Sequence, residues 1–124
     1  MTRPLVGVIV AVQRARFGPW DQDAAVVPAT LVDAARELGW LALLLTADAD
    51  PDTGLRLLDG LIVPDWGPGA DRHAETLAAA ARARGLPVLE LPASLARPGT
   101  TVADYTRALG ELFAADAPVE SRLS

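Results

Sequence analysis

Four short, nearly continuous apolar runs recur along the chain and alternate with longer segments of helical character. The runs occupy residues 5–12, 40–45, 60–64 and 86–91. Strands that helices cover on both faces of a parallel sheet read as continuous apolar runs rather than as alternating ones. The pattern therefore predicts an α/β fold with a small, doubly wound, mainly parallel sheet of about four strands. Right-handed crossover connections favour the flavodoxin-like strand order 2-1-3-4.

The helical spacing of apolar residues predicts the elements between the first three runs. A first helix covers residues 27–38, with Pro28 near its start and Gly39 just beyond its end. A short helical turn around residues 55–58 follows the second run, and Asp52 is placed to cap it.

Two further helices follow the third and fourth runs. One covers residues 71–84 and is closed by Gly85. The other begins at Thr100 or Thr101, and its apolar positions form a single stripe. The stripe comprises Val102, Tyr105, Leu109, Leu112 and Phe113. A chain of 124 residues has the size of one domain, so we expect a single α/β domain over residues 1–113 and a flexible tail over residues 114–124.

The charge balance excludes two classes of partner. Eleven arginines and sixteen acidic residues give a net charge of -5, which repels nucleic acids and anionic membranes. The run at 5–12 is too short to span a bilayer and leads into Arg14 rather than into a cleavage site, so a buried strand is favoured over a signal peptide. We therefore predict a cytoplasmic protein.

The chain contains no cysteine. It therefore cannot form disulfides, thiolate metal sites or a cysteine nucleophile. His73 is the only histidine, so one chain cannot build a metal site from several histidines. We predict neither a bound metal nor a cofactor.

Several sequence segments occur in an order and at a spacing that are characteristic of one enzyme family. They comprise residues 3–8 (RPLVGV), 14–20 (RARFGPW), 58–63 (LDGLIV) and 84–89 (RGLPVL). In these segments the chain resembles the class I glutamine amidotransferase-like hydrolases, specifically the gamma-glutamyl-gamma-aminobutyrate hydrolase branch. The resemblance covers residues 3–91, which correspond to the first half of such an enzyme.

The catalytic positions that the resemblance implies are altered. In that family the strand at 60–64 leads into a glycine pair that helps to bind an oxyanion, and here Asp65 and Trp66 stand in that place. The strand at 86–91 leads in the family into a Gly-x-Cys elbow, and here Pro92 replaces the cysteine. The family's histidine and acidic partner belong to a later half, and supplying that half on a second polypeptide would not restore the missing nucleophile. The resemblance thus implies a pseudoenzyme that is not a glutaminase or another thiol hydrolase.

Three titratable residues form the candidate site for a different chemistry. Asp65 and Glu90 lie at or near the carboxyl ends of neighbouring strands, where two carboxylates could share a proton or hold a cation such as Mg²⁺. His73 titrates near neutral pH and could act as an acid or a base. The structural alternatives are that Asp65 caps a turn, that Glu90 pairs with an arginine and that His73 lies on the surface of a helix.

Arg14, Arg16 and Trp20 follow the first strand and are candidates for ligand binding, together with Asp65 and Trp66. Arginines bind carboxylates through two parallel hydrogen bonds, so the pair could clamp a carboxylate beneath the aromatic ring of Trp20. The alternative is a structural role in which Trp20 pins the loop to the first helix.

These observations lead to three functional hypotheses. The first is a catalytically degenerate relative of the family that acts as a self-associating or partner-binding accessory protein, and we expect a homodimer. Its interface would use an exposed sheet edge at 86–91, or Leu109, Leu112 and Phe113. The second is an enzyme of changed chemistry that uses the three titratable residues named above. The third is a binding protein for a small molecule such as an amino acid or a carboxylate.

Overall fold

A computed structural model describes residues 3–46, 50–64, 72–95 and 97–114, with the backbone alone for residues 72, 73 and 114. The strands are β1 (Leu5–Ile9), β2 (Ala11–Phe17), β3 (Trp20–Val26), β4 (Leu41–Leu45), β5 (Gly60–Val63) and β6 (Val88–Glu90). The helices are α1 (Ala29–Glu37), α2 (Pro51–Gly54), α3 (Arg72–Ala83), α4 (Val102–Leu109) and α5 (Glu111–Ala114), with a 3-10 turn at Ala93–Leu95. None of these helices is long and apolar enough to cross a membrane.

Four strands form a parallel sheet in the order β4-β1-β5-β6. Strand β1 lies in its interior, where Val6 is opposite Ala42 of β4 and Gly60 of β5. Strand β6 continues the sheet beyond β5, with Glu90 opposite Val63. The predicted mixed α/β class and the parallel sheet of four strands are confirmed.

Two hydrophobic cores lie on opposite faces of this sheet, because alternate residues of a strand point to opposite sides. On one face Val6 belongs to a core with Leu31 of α1 and Leu109 of α4. On the other face Ile9 belongs to a core with Leu77 of α3. Helices therefore cover both faces of the sheet.

Three helix ends follow the predicted signals. Gly39 and Gly85 adopt the positive φ values of 82° and 76° where α1 and α3 end. Thr101 caps α4: its hydroxyl accepts a hydrogen bond from the backbone N–H of Asp104 at 3.1 Å. The carboxylate of Asp104 in return accepts one from the N–H of Thr101 at 3.0 Å, which completes a capping box.

The prediction that Asp52 caps α2 was wrong, because Asp50 is the cap. The carboxylate of Asp50 accepts hydrogen bonds from the hydroxyl of Thr53 at 2.8 Å and from its N–H at 3.3 Å. Pro51 occupies the first helical position, which places the cap one residue before it. Asp52 instead forms an ion pair with Arg84 after α3.

The prediction of one strand over residues 5–12 was also wrong, since β1 ends at Ile9. Val10 still donates a backbone hydrogen bond to the carbonyl of Leu45 at 2.9 Å. Strand β4 ends at that leucine, and the chain leaves the main sheet after Val10. Ala11 then begins β2, which pairs with β3 in a separate sheet of two strands.

The apolar stripe of the last helix is part of a core. Leu109 and Leu112 are buried, and the ring of Phe113 contacts that of Trp40 edge to face at 5.2 Å between centroids. The prediction that these three residues can bind a second copy was therefore wrong, because α4 and α5 pack against the domain's own sheet. The predicted tail begins at the last residue of α5, and residues 115–124 lie outside the described part of the chain.

Replacing Gly60 by alanine should destabilise the fold, because α5 packs directly on that residue. A Cβ atom at Gly60 would lie 3.0 Å from Cδ2 of Leu112 and 3.2 Å from Cε1 of Phe113, so these two packed side chains must move by a few tenths of an ångström. We expect the free energy of unfolding in urea to fall by about 1–3 kcal/mol. Gly110→Ala is the matched control, since its nearest contact would be an ordinary 3.5 Å, and it should not lower stability. Equal losses in the two variants would contradict this explanation.

Candidate functional site

Strands β2 and β3 form an antiparallel hairpin that stands apart from the main sheet. Phe17 pairs with Trp20, which leaves Gly18 and Pro19 as a turn of two residues. Gly18 has a φ of 54°, whereas the proline ring fixes a negative φ at the next position. This sequence of signs fits a type II′ turn, whose twist matches that of a hairpin. Because the hairpin follows β1, it starts from the carboxyl edge of the sheet, where open α/β sheets bind ligands.

One face of the hairpin carries a cluster of charged side chains. Arg16 lies directly opposite Asp21, and Arg14 lies opposite Asp23. The carboxylate of Asp21 contacts both guanidinium groups, with Nε of Arg14 at 3.1 Å and Nε of Arg16 at 3.7 Å. These side chains are largely exposed, and ion pairs of this kind contribute little to stability. The cluster therefore leaves both arginines accessible to a solute.

The opposite face of the hairpin carries an aromatic pair at the tip. Phe17 and Trp20 stack with their ring centroids 6.3 Å apart, and both side chains are exposed. Side chains alternate between the faces of a strand, so Trp20 points away from the side that holds Arg14 and Arg16. The structure thus brings the two arginines together and places the indole on the other side. The aromatic partner of Trp20 is Phe17 across the turn, rather than a residue of α1.

The predicted acid and base residues are placed only in part. Glu90 ends β6, and its carboxylate lies 3.3 Å from Nη2 of Arg82 on α3, which is the ion pair that the structural alternative expects. His73 lies in the first turn of α3, and its side chain is outside the described part. Asp65 and Trp66 also lie outside the described residues. The meeting of the three titratable groups in one cleft stays a prediction. Elsewhere on the described chain, no three acidic or histidine side chains are grouped to hold a metal ion.

Pro92 stands where the resemblance places the nucleophile. Leu91 is buried, and its N–H donates a hydrogen bond to the carbonyl of Val63 at 2.9 Å, so pairing extends one residue beyond β6. The carbonyl of Pro92 then accepts a hydrogen bond from the N–H of Leu95 at 3.0 Å, which closes a 3-10 turn. Proline has neither a thiol nor an N–H, so this position cannot supply a nucleophile or an amide donor.

An open pocket of about 520 Å³ lies at the amino end of the sheet. Arg3, Pro4, Asp59 and Phe113 line it. The carboxylate of Asp59 accepts a hydrogen bond from the N–H of Leu5 at 2.8 Å, which holds the start of β1. The carboxylate of Asp59 in this pocket therefore has a structural role. The pocket lies at the end of β1 opposite the hairpin.

The exposed edge of β4 was not predicted from the sequence. Leu41, Leu43 and Leu44 are 55%, 42% and 49% exposed, although the continuous run was expected to be buried on both faces. Strand β4 pairs with β1 on one side and forms an edge of the described sheet on the other. A signal was available, because the expected strand order places the second apolar run at an edge.

Gly18→Ala should open the hairpin without unfolding the domain. An added Cβ would touch nothing within 4 Å, so the cost comes from the positive φ alone, about 1–2 kcal/mol. Because the hairpin is a sheet of its own, we expect amide hydrogen exchange to accelerate about tenfold over residues 11–26 and to stay unchanged in β1 and β5. Pro19→Ala keeps the glycine and should have a smaller effect. Equal acceleration in the hairpin and the sheet would show that the two unfold together.

The resemblance to the glutamine amidotransferase-like hydrolases rests on the sequence segments that carry it. Residues 14–20 form the end of β2, the turn and the start of β3, and residues 58–63 include β5. Residues 84–89 lead from the end of α3 into β6. No model of a protein family matches the chain, and no curated protein matches it either.

Proposed function

We propose that the chain is a catalytically inactive, glutamine amidotransferase-like domain that acts as a self-associating accessory protein. The observation that carries this proposal is the apolar surface on the outside of its described part. The exposed large apolar residues there are Val12, Phe17, Trp20, Leu41, Leu43, Leu44 and Leu57. Single apolar residues are ordinary on a protein surface, whereas contiguous ones mark interaction sites. The leucines of β4 are contiguous along one strand, and the aromatic rings of the hairpin stack on each other.

The proposed relation to the hydrolase family has support in the architecture. When the four parallel strands alone are numbered along the chain, their order across the sheet is second, first, third, fourth. That order is typical of flavodoxin-like folds, and the two cores on opposite faces are in keeping with a doubly wound sheet. The proposed loss of activity has its support in Pro92, which offers no group that could replace a thiolate.

The purified protein should be a dimer without hydrolase activity. Sedimentation equilibrium at tens of micromolar should give twice the chain mass of 13.0 kDa. Incubation with L-glutamine or with gamma-glutamyl-gamma-aminobutyrate should release no glutamate above the level of a blank without protein. A monomeric mass would overturn the proposed self-association, and released glutamate would overturn the proposed loss of activity.

A second candidate function, the binding of a small carboxylate, is favoured by the exposed arginines of the hairpin. The side chains of Arg14 and Arg16 are 67% and 86% exposed, and both guanidinium groups form ion pairs with the carboxylate of Asp21. A ligand carboxylate presents the same chemistry as that aspartate, so it would compete for the same hydrogen-bond donors.

A thermal-shift screen of amino acids, polyamine conjugates and carboxylates tests this second function. A ligand present at one hundred times its Kd stabilises the native protein by about 2.7 kcal/mol and so raises its Tm. Asp21→Asn removes the competing charge and should enlarge the shift, whereas replacing Arg14 and Arg16 by glutamine should abolish it. The absence of any shift across the screen would exclude carboxylate binding at this site.

A further inference from the structure

We propose that two copies of the chain associate by antiparallel pairing of β4 with β4 of the second copy, which joins two sheets of four strands into one. This inference rests on the proposed self-association and names its surface. It follows from three features of β4: the direction of its backbone groups, the position of its leucines and its lack of charge.

Along its outer side, β4 directs backbone groups to which no strand of the described part of the chain is paired. The N–H of Leu41 donates to the carbonyl of Pro4, and the carbonyl of Leu45 accepts from the N–H of Val10, both at 2.9 Å. Backbone groups point to alternate sides along a strand, so every second residue from Leu41 to Leu45 bonds towards β1. Ala42 and Leu44 direct their N–H and C=O groups the other way, to the edge where the described sheet has no further strand.

The positions of these outward groups, together with the length of the strand, favour one pairing register. An antiparallel neighbour must place its own outward residues opposite Ala42 and Leu44, because such pairs exchange two N–H···O bonds. Setting Ala42 opposite the partner's Leu44 does this for both copies at once and puts a two-fold axis at Leu43. The register also uses the whole strand, since Leu41 then lies opposite the partner's Leu45. A strand of this length, Leu41–Leu45, runs for about 17 Å.

This register covers two of the exposed leucines, Leu41 and Leu43. Leu41 and Leu43 lie on the same face of the sheet as Leu45, which packs against the core that contains Leu77 of α3. Leu43 and the partner's Leu43 form a pair without direct hydrogen bonds, the kind in which cross-strand side chains are closest. Leucine therefore meets leucine along that face, and apolar surface that the monomer exposes to water is buried between the two copies.

The uncharged composition of β4 and the closure of a two-fold pair favour a second copy as the occupant of this edge. The chain carries a net charge of -5, so two copies repel each other and associate best through an uncharged surface. Strand β4 contains leucine and alanine alone, whereas the hairpin strands carry Arg14, Arg16, Asp21 and Asp23, and β6 carries Glu90. A free edge with neither charge nor proline invites uncontrolled pairing. A two-fold pair uses both β4 edges and stops at two copies, whereas pairing β4 with β6 would continue without end.

Cysteine cross-linking tests the register, because the chain has no cysteine of its own. Paired residues at the axis have their Cα atoms about 4.5 Å apart, within the roughly 4.4–6.8 Å that a disulfide spans. We expect Leu43→Cys to give a nearly complete disulfide-linked dimer under mild oxidation, on a gel run without reductant. Leu44→Cys is the matched control: it is similarly exposed but faces the partner's Ala42, so it should link several-fold less. Equal or better linking through Leu44→Cys would overturn the register.

Introducing a charge at β4 tests whether the dimer forms through this strand or through another surface. Leu43→Lys places two like charges against each other at the axis, so the dissociation constant of the dimer should rise at least about a hundredfold. Leu57→Lys changes a residue that is 75% exposed and lies outside the strand. This variant should sediment as a dimer, as the wild type does. Sedimentation equilibrium gives both results, and circular dichroism checks that the variants are folded. A monomeric wild type overturns the proposed function itself. A dimeric wild type whose Leu43→Lys variant stays dimeric overturns the β4 surface alone.

Discussion

The pairing of β1 with β4 on one side and with β5 on the other is the interaction on which the rest of the domain depends. Val6, Val8 and Ile9 of this strand are almost completely buried, and they contribute to both cores. The backbone there is shut off from water, so its polar groups must be bonded within the sheet. Even Gly7 is constrained, since a Cβ atom at that position would lie 2.7 Å from a methyl carbon of Leu58.

The arrangement around β1 leaves two apolar surfaces of different character. The hairpin that follows β1 combines an aromatic tip with a charged face, so it suits a partner or ligand that carries its own charges. The β4 edge carries only aliphatic side chains, and an identical strand can pair with its outward backbone groups. The two surfaces therefore divide the proposed roles, with recognition on the hairpin and self-association on the edge. Neither depends on the catalytic residues that the family resemblance would require.

The sequence predicted the central sheet well because buried parallel strands leave an unmistakable pattern of continuous apolar residues. It failed at residues 11–26, where alanines, glutamines and paired charges alternate too weakly to reveal two strands of an exposed hairpin. The stripe at Leu109, Leu112 and Phe113 was identified correctly but given the wrong partner, since an apolar face does not say which surface covers it. For the candidate site, the ion pair of Glu90 with an arginine is the structural one of the two interpretations that the sequence allowed. The separation of Trp20 from the arginines depends on the register of β2 and β3, which residue types do not encode.

The burial of Leu91 has a consequence for how such a chain changes over evolutionary time. This leucine is the last residue of the β6 segment to enter a core before three exposed residues, Pro92, Ala93 and Ser94. Leu95 of the 3-10 turn packs against the core, whereas substitutions at the exposed positions 92–94 alter no buried contact, so selection for foldability acts on these three positions only weakly. A domain of this architecture can therefore exchange the residue at this strand end in a single step and persist as a stable protein.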